Sequence, residues 1–212
     1  MSFFSSRTAL INQTRGLLAE YHIICAATIG KIRQQLPLII EDAEQLLIHT
    51  ARIFFSEMYD ELQFLDGRVE QLNQQSKSLL KDNPNYQRIQ QIPGIGPVIA
   101  ATTLAAVGSG CQFRNGRQFA AWAGLAPRHY ASGNSCRIGS ISKHGNSSLR
   151  HLLIHGARTV MNWSQRKHDI LSRWIQSLLV TKPACKVIVA LANKLARMLW
   201  AVLAKKKDYS PV

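Results

Sequence analysis

Acidic residues are almost missing from the second half of this chain. Residues 101–212 carry Asp169 and Asp208 against 17 Lys and Arg, a net of +15, while residues 1–100 carry nine Lys and Arg against 10 Asp and Glu, a net of −1. The overall charge of +14 and the pI near 10.1 therefore arise beyond residue 100. A surface so one-sided repels itself unless counter-ions or phosphates neutralise it, and this points to a polyanionic partner. A basic surface that merely confers solubility is the plainer alternative.

Other absences narrow the class. The four cysteines, Cys25, Cys111, Cys136 and Cys185, lie far apart with no C-x-x-C pair, which argues against a disulfide frame or a zinc site and for unpaired thiols of a cytoplasmic protein. The opening MSFFSSRTAL lacks an apolar stretch followed by a cleavage site, so a secreted product is not expected. The longest apolar run near the C-terminus, Val187 to Ala204, is broken by Lys194 and Arg197, and two mid-span charges argue against a membrane crossing. What remains is 212 residues at 46% hydrophobic content, enough for one or two domains with a real core.

Residues 1–82 read as an elongated helical segment. Leu10, Ile11, Leu17, Leu18 and Tyr21 recur at helical spacing, and a less regular stretch with Gly30 and Pro37 follows. From about Glu41 the pattern is sustained. Phe55, Met58, Leu62, Leu65, Val69, Leu72, Ser76 and Leu79 alternate at spacings of three and four, flanked by Glu57, Asp60, Glu61, Arg68 and Glu70. Such a seam predicts a coiled coil or antiparallel helical hairpin and hence a homo-oligomer; the alternative is an amphipathic helix packed on its own domain. Asp82-Asn83-Pro84-Asn85 is rich in turn formers and ends the segment.

A second, compact helical domain is expected over 86–207, with a short tail at 208–212. It begins with Gln91-Ile92-Pro93-Gly94-Ile95-Gly96-Pro97-Val98 and an Ala-rich helix to about Val107. An apolar-Pro-Gly-apolar-Gly turn between helices resembles the hairpin of helix-hairpin-helix modules, here 89–107. Gly94 and Gly96 would let the backbone approach a phosphate, and free amides opening the next helix would bind it. A purely structural Gly-Pro turn is the alternative. In Phe113–Gly124, Asn115 suits an N-cap and Gly124 a stop, with Phe119 and Trp122 sharing a core-facing side.

Residues 126–146, APRHYASGNSCRIGSISKHGN, hold three glycines and four serines but no acid. They read as a long Gly/Ser-rich loop or short hairpin, too polar for a core strand and without helical period. Asn146 caps a helix with Leu149, Leu152, Leu153, Ala157 and Val160. Two more helices follow, near Gln165–Val180 and Pro183–Ala204, the last closed by Lys205-Lys206-Lys207. The fold is thus mainly α. Phosphate contacts are assigned to Arg114, Arg117, Arg128, Arg137, Lys143 and Arg150, and the chemistry of the loop leaves Ser132, Ser135, Ser140 and Ser142 with equal claims as nucleophiles.

Here the residues become specific. Ile92–Pro97 (IPGIGP), Phe113–Arg128 (FRNGRQFAAWAGLAPR), Ser132-Gly133, Ile141–Asn146 (ISKHGN) and Ala190–Arg197 (ALANKLAR) resemble the insertion-sequence transposases of the IS110/IS1111 type. Arg7–Gln13 and Arg15–Tyr21 are similar to the IS1111 branch, so the resemblance covers nearly the whole chain. It implies DNA recombination by a serine nucleophile, with DNA and a structured, element-encoded RNA as partners, in the bacterial cytoplasm and associated with the nucleoid. Pro127-Arg128-His129-Tyr130-Ala131-Ser132-Gly133 matches the family's P-R-x-Y-x-S-G and singles out Ser132. A serine hydroxyl needs a proton acceptor, and attack on a phosphodiester builds charge that cations stabilise. Arg128, Arg137 and Lys143, with His129 and His144 as proton carriers, would supply both.

The same resemblance implies an N-terminal RuvC-like domain whose four acidic residues bind divalent metal. No such domain precedes residue 6, and the acids of the first half sit on helical flanks. The chain is therefore expected to be an N-terminally truncated form that binds no cofactor itself, with Mg²⁺ belonging to the missing domain. It is expected to bind nucleic acid and self-associate without recombining DNA alone. The alternative is a non-catalytic, dimerising nucleic-acid binder that modulates full-length transposase; membrane association through the basic C-terminal helix is a third reading, disfavoured by the spread of its charges.

Overall fold

The computed structural model describes residues 3–25, 28–42, 47–133 and 135–210; Asn134 of the serine loop and residues 211–212 of the tail lie outside them. Nine α-helices and one two-stranded hairpin make up the described residues, so the fold is mainly α. Two compact units divide at Gln75 and Ser76, within helix α3 (His49–Leu80).

In the first unit, α1 (Phe3–Glu20) buries Leu10, Ile11, Thr14 and Leu18 along one side, and α2 (Ile29–Glu41) buries Ile32 and Leu36. Both share a core with Ala51, Phe55, Met58, Leu62 and Leu65 of α3, where the Tyr21 ring meets Phe55 edge-on at 6.2 Å. The stretch expected to be irregular is instead the helix α2, with Pro37 inside it. An interior proline removes one helical hydrogen bond and costs about 3 kcal/mol. The complete burial of Ile32 and Leu36 offsets that cost.

Of the uses open to the heptad seam, the structure shows an amphipathic helix packed within its own unit. Phe55, Met58, Leu62, Leu65 and Val69 are buried within the chain's own first unit, whereas Leu72 is partly and Leu79 largely exposed. Over residues 55–69 the seam is the core face of an intramolecular helix bundle. Heptad spacing says that a stripe must be covered, not by which chain.

The second unit is built around α9 (Ala184–Lys205), which buries Val187, Ile188, Leu191, Ala192, Leu195, Ala196, Leu199, Val202 and Leu203. By length and composition this helix could cross a membrane, but its apolar side is the spine of a packed core. Against it lie α4 (Pro84–Gln90), α6 (Gly116–Trp122), α7 (Ser147–Trp163) and α8 (Ile170–Thr181); α5 (Pro97–Val107) packs on α4 and α7. Phe113, Phe119 and Trp122 form an aromatic cluster with ring centroids 5.2–5.8 Å apart, the core role expected of the latter two. The expected caps are present: the Asn115 side chain accepts from the Gln118 amide at 2.9 Å and Asn146 from the Leu149 amide at 2.9 Å. Asp169 caps α8 in the same way through the Ser172 amide.

Candidate nucleic-acid interface and serine hairpin

Of the two forms open to residues 126–146, the structure takes the hairpin. Strand β1 (Pro127–Ser132) pairs antiparallel with β2 (Ser135–Ile141) in the register Tyr130↔Arg137, Ala131↔Cys136 and Ser132↔Ser135, with a bulge between Pro127 and His129. Gly133 turns the chain at the tip in the left-handed region. All of β1 is exposed. A two-stranded hairpin without a buried face is marginal by itself, so its order must come from its root.

That root is sewn to the end of α6. Ser142 N–H donates to Ala126 O at 2.9 Å, Lys143 N–H to Gly124 O at 3.2 Å and Asn146 N–H to Trp122 O at 3.3 Å. Gly145 has φ +96°, and a Cβ there would overlap the Trp122 carbonyl, so this close backbone approach needs glycine. Arg150, expected on the phosphate-binding surface, is instead buried at 7% exposure, and its Nη1 donates to Ala123 O at 3.2 Å. The reason is the end of α6. A helix end leaves carbonyls without partners, and a cation there satisfies one and suits the helix dipole. Arg150 holds the hairpin's root rather than a phosphate.

The cations expected around Ser132 separate into two groups. At the root, Arg128 Nη2 donates to Ser142 O at 2.9 Å and lies 3.3 Å from His144 Nε2, with Lys143 beside them in the left-handed region. Ser132 stands four residues along β1, roughly 13 Å away at about 3.3 Å per residue. Directly opposed residues of an antiparallel pair share a face, so Ser132, Ser135, Tyr130 and Arg137 lie on one side of the hairpin. His129 lies on the other, paired with Ile138. Arg137 is thus the expected cation that the register places across from Tyr130, on the Ser132 side near the tip, while Arg128 of β1 engages Ser142 O and His144 at the root.

The helix–turn–helix formed by α4, residues 91–96 and α5 divides its two glycines by role. Gly94, at φ +81°, faces α7: a Cβ there would lie 2.6 Å from Val160 Cγ2 and 2.8 Å from Gly156 O. This close approach to α7 requires glycine at position 94. Gly96 precedes α5 with open space about its Cα and no side-chain cap on the first turn, so it remains the candidate for anion approach.

Arg114 and Arg117 are exposed at the start of α6. Arg117 shares with Asn115, Trp200 and Arg197 a cleft of about 430 Å³. Arg197 was not singled out in the sequence, because its position in the periodic α9 pattern gives no sign that it would meet Arg117. A larger groove of about 860 Å³ separates β2 from α9, lined by Ile138, Ile141, Lys186 and Val189 among others.

Among the described residues of the second unit, no acids group around Ser132. Asp169 caps α8, with its carboxyl held below its ordinary value of 3.8 chiefly by the hydrogen bond from the Ser172 side chain. Asp208 lies 3.5 Å from Arg88 of α4. These are the two acids of residues 101–212, so this half does not fit the metal site that the sequence resemblance implies.

Comparison with known proteins places the chain in a family. Residues 86–171 match the model of the transposase IS116/IS110/IS902 family. The chain is 43% identical over 216 residues to a probable family 20 transposase of Pseudomonas aeruginosa, covering 97% of this chain and 61% of that protein. It is 39% identical over 204 residues to the transposase for insertion sequence element IS1111A of Coxiella burnetii, covering 96% and 56%. A pilin gene-inverting protein of Moraxella bovis is 28% identical over 156 residues, covering 71% and 48%. The chain spans about half to three-fifths of the length of these relatives.

Proposed function

Because the chain belongs to the IS116/IS110/IS902 transposase family, we propose that it is a DNA-recombining component in which Ser132 is the nucleophile toward a phosphodiester. The observation that carries this reading is the position of Ser132 at the exposed end of a rooted hairpin, on the same face as Arg137. Ser140 and Ser142 lie toward the root, and Ser135 follows the turn rather than preceding it.

The step balances as a transesterification. The Ser132 oxygen bonds to phosphorus while a strand P–O bond breaks; the serine proton passes to a base, and the departing deoxyribose oxygen takes up a proton. A hydroxyl from another strand then attacks the phosphoserine, restores a diester and frees the serine. Arg137 would offset negative charge on the phosphoryl oxygens. The exposed cations Arg114, Arg117, Arg128 and Lys143, with Gly96, would hold the flanking backbone of DNA or of an element-encoded RNA. Divalent metal would supply further charge stabilisation; residues 101–212, with two acids, offer no cluster to hold it.

The test is a DNA substrate nicked beside the scissile bond, offered with Mg²⁺ together with a full-length relative that bears this chain's hairpin. A covalent protein–DNA adduct that is lost in Ser132→Ala and kept in Ser135→Ala is the expected result. An adduct that survives Ser132→Ala would overturn the assignment. Salt-sensitive DNA binding with no adduct in any variant would favour the non-catalytic, modulating reading.

A further inference from the structure

The face that carries Ser132 also carries an aromatic ring that packs on one side and stays largely exposed on the other. Tyr130 is 57% exposed on a strand that is exposed throughout. Its ring lies across Gly139 of β2: a Cβ at that glycine would sit 2.9 Å from Tyr130 Cε2 and 3.6 Å from Cδ2. Gly139 has no left-handed φ to account for it, so the ring over its Cα is what the missing side chain permits. The ring rests against bare backbone and keeps much of its surface open to solvent. Arg137 is the direct cross-strand partner of Tyr130, and Ser132 stands two residues further along β1 on the same face.

An aromatic surface beside a cation, with no acid anywhere in residues 126–146, fits a nucleotide better than a protein side chain. The ring offers a stacking surface that any base can use, and the guanidinium a partner for the adjoining phosphate. A base within a duplex has both faces stacked already, so only an unpaired or flipped base could use the ring. We propose that Tyr130, seated on Gly139, is a stacking platform for one unpaired DNA base beside the phosphodiester presented to Ser132, with Arg137 contacting that nucleotide's phosphate. The inference rests on the reading that the Ser132 face meets DNA, but not on Ser132 being the nucleophile.

The two can be separated by measuring binding in a Ser132→Ala background, where no covalent step intervenes. The probes are a duplex with a short central gap, the same duplex fully paired, and an RNA strand of the gap sequence, with 2-aminopurine at the unpaired position. The parent should bind the gapped DNA about tenfold more tightly than the paired duplex and quench the reporter. Tyr130→Leu should remove most of that preference and the quenching, leaving paired-duplex affinity and the salt slope unchanged. Tyr130→Phe should keep both. Gly139→Val, which displaces the ring without removing it, should lower gapped-DNA affinity alone. Arg137→Gln should reduce the salt slope by about 1 on both DNA probes. Helical circular dichroism of each variant checks that the helices are intact.

Equal loss on gapped and paired DNA in Tyr130→Leu, or no loss on either, would overturn the proposal. Tyr130-dependent quenching confined to the RNA probe would overturn it in favour of an RNA platform. A Tyr130-dependent gap preference together with an adduct that survives Ser132→Ala would remove the nucleophile assignment and leave the platform standing.

Discussion

Arginines that pair within the fold are treated differently in the two units. In the first, Arg7 and Arg33 converge on one carboxylate, Asp66 of α3, so that α1, α2 and α3 are tied through a shared side chain. In the second, Arg150 is buried against a main-chain carbonyl, and the helix turn around Gly94 meets α7 at Gly156 backbone to backbone. Up to Gln75 the chain carries six Lys and Arg against nine Asp and Glu; from Ser76 onward it carries 20 against three. A unit with so few acids cannot neutralise its cations internally without losing its surface charge. Arg150 is satisfied by a helix-end carbonyl, while Arg114, Arg117, Arg128 and Arg137, the cations proposed to meet phosphate, stay exposed.

The backbone contact of the second unit is where that contrast can be broken hardest. Gly156→Val would drive a side chain into the Gly94 carbonyl and against Ile99, and should destabilise the second unit by about 3 kcal/mol in urea unfolding. Unchanged stability would show that the turn moves away freely and that the close approach is incidental.

Next in size is the difference between the two arginine arrangements. Arg150→Met should cost about 2 kcal/mol, and that loss should be the same in low and high salt, because the partner is a carbonyl. Asp66→Asn should cost about 1.5 kcal/mol at low ionic strength and less at 1 M salt, since a partly exposed ion pair is screened. Parallel salt dependences would erase the distinction.

The smallest effect concerns the acids that remain in the second unit. Asp169 has a folded-state pKa below its unfolded one, so its contribution is complete above about pH 4 and is lost as pH falls through the lowered value. Asp169→Ala should lose about 1 kcal/mol at pH 7 as the α8 cap disappears, and should flatten that acid limb in a pH series of thermal melts. An unchanged acid limb would assign the pH dependence to other groups.

The amount legible beforehand followed how local each interaction is. Asn115, Asn146 and the helix that follows each are readable because a cap bonds to amides three residues away. The core role of Phe119 and the interruption at Gly124 follow from the same short-range rules. Pro37 was misleading because a local penalty was set against burial that only the packed α1–α3 core supplies. Arg150 was misleading for a related reason: adjacency to a basic loop suggested surface, and its carbonyl partner lies 27 residues back in the chain.

By itself, then, the sequence determined a mainly helical chain with its positive charge in the second half, and its motifs identified the family and the serine motif. Composition, periodicity and capping are properties of neighbours along the chain, and they survive without knowledge of the fold. Only the tertiary structure decided which surface each group would occupy. It turned the heptad seam inward over Phe55–Val69, took Gly94 and Arg150 for packing, and left Arg128 and Lys143 at the hairpin's root. It also placed Tyr130 and Arg137 on the Ser132 face. Strand register and close backbone contact arise between residues that meet only on folding, and pairing across a turn, unlike proximity in sequence, selects one face from two.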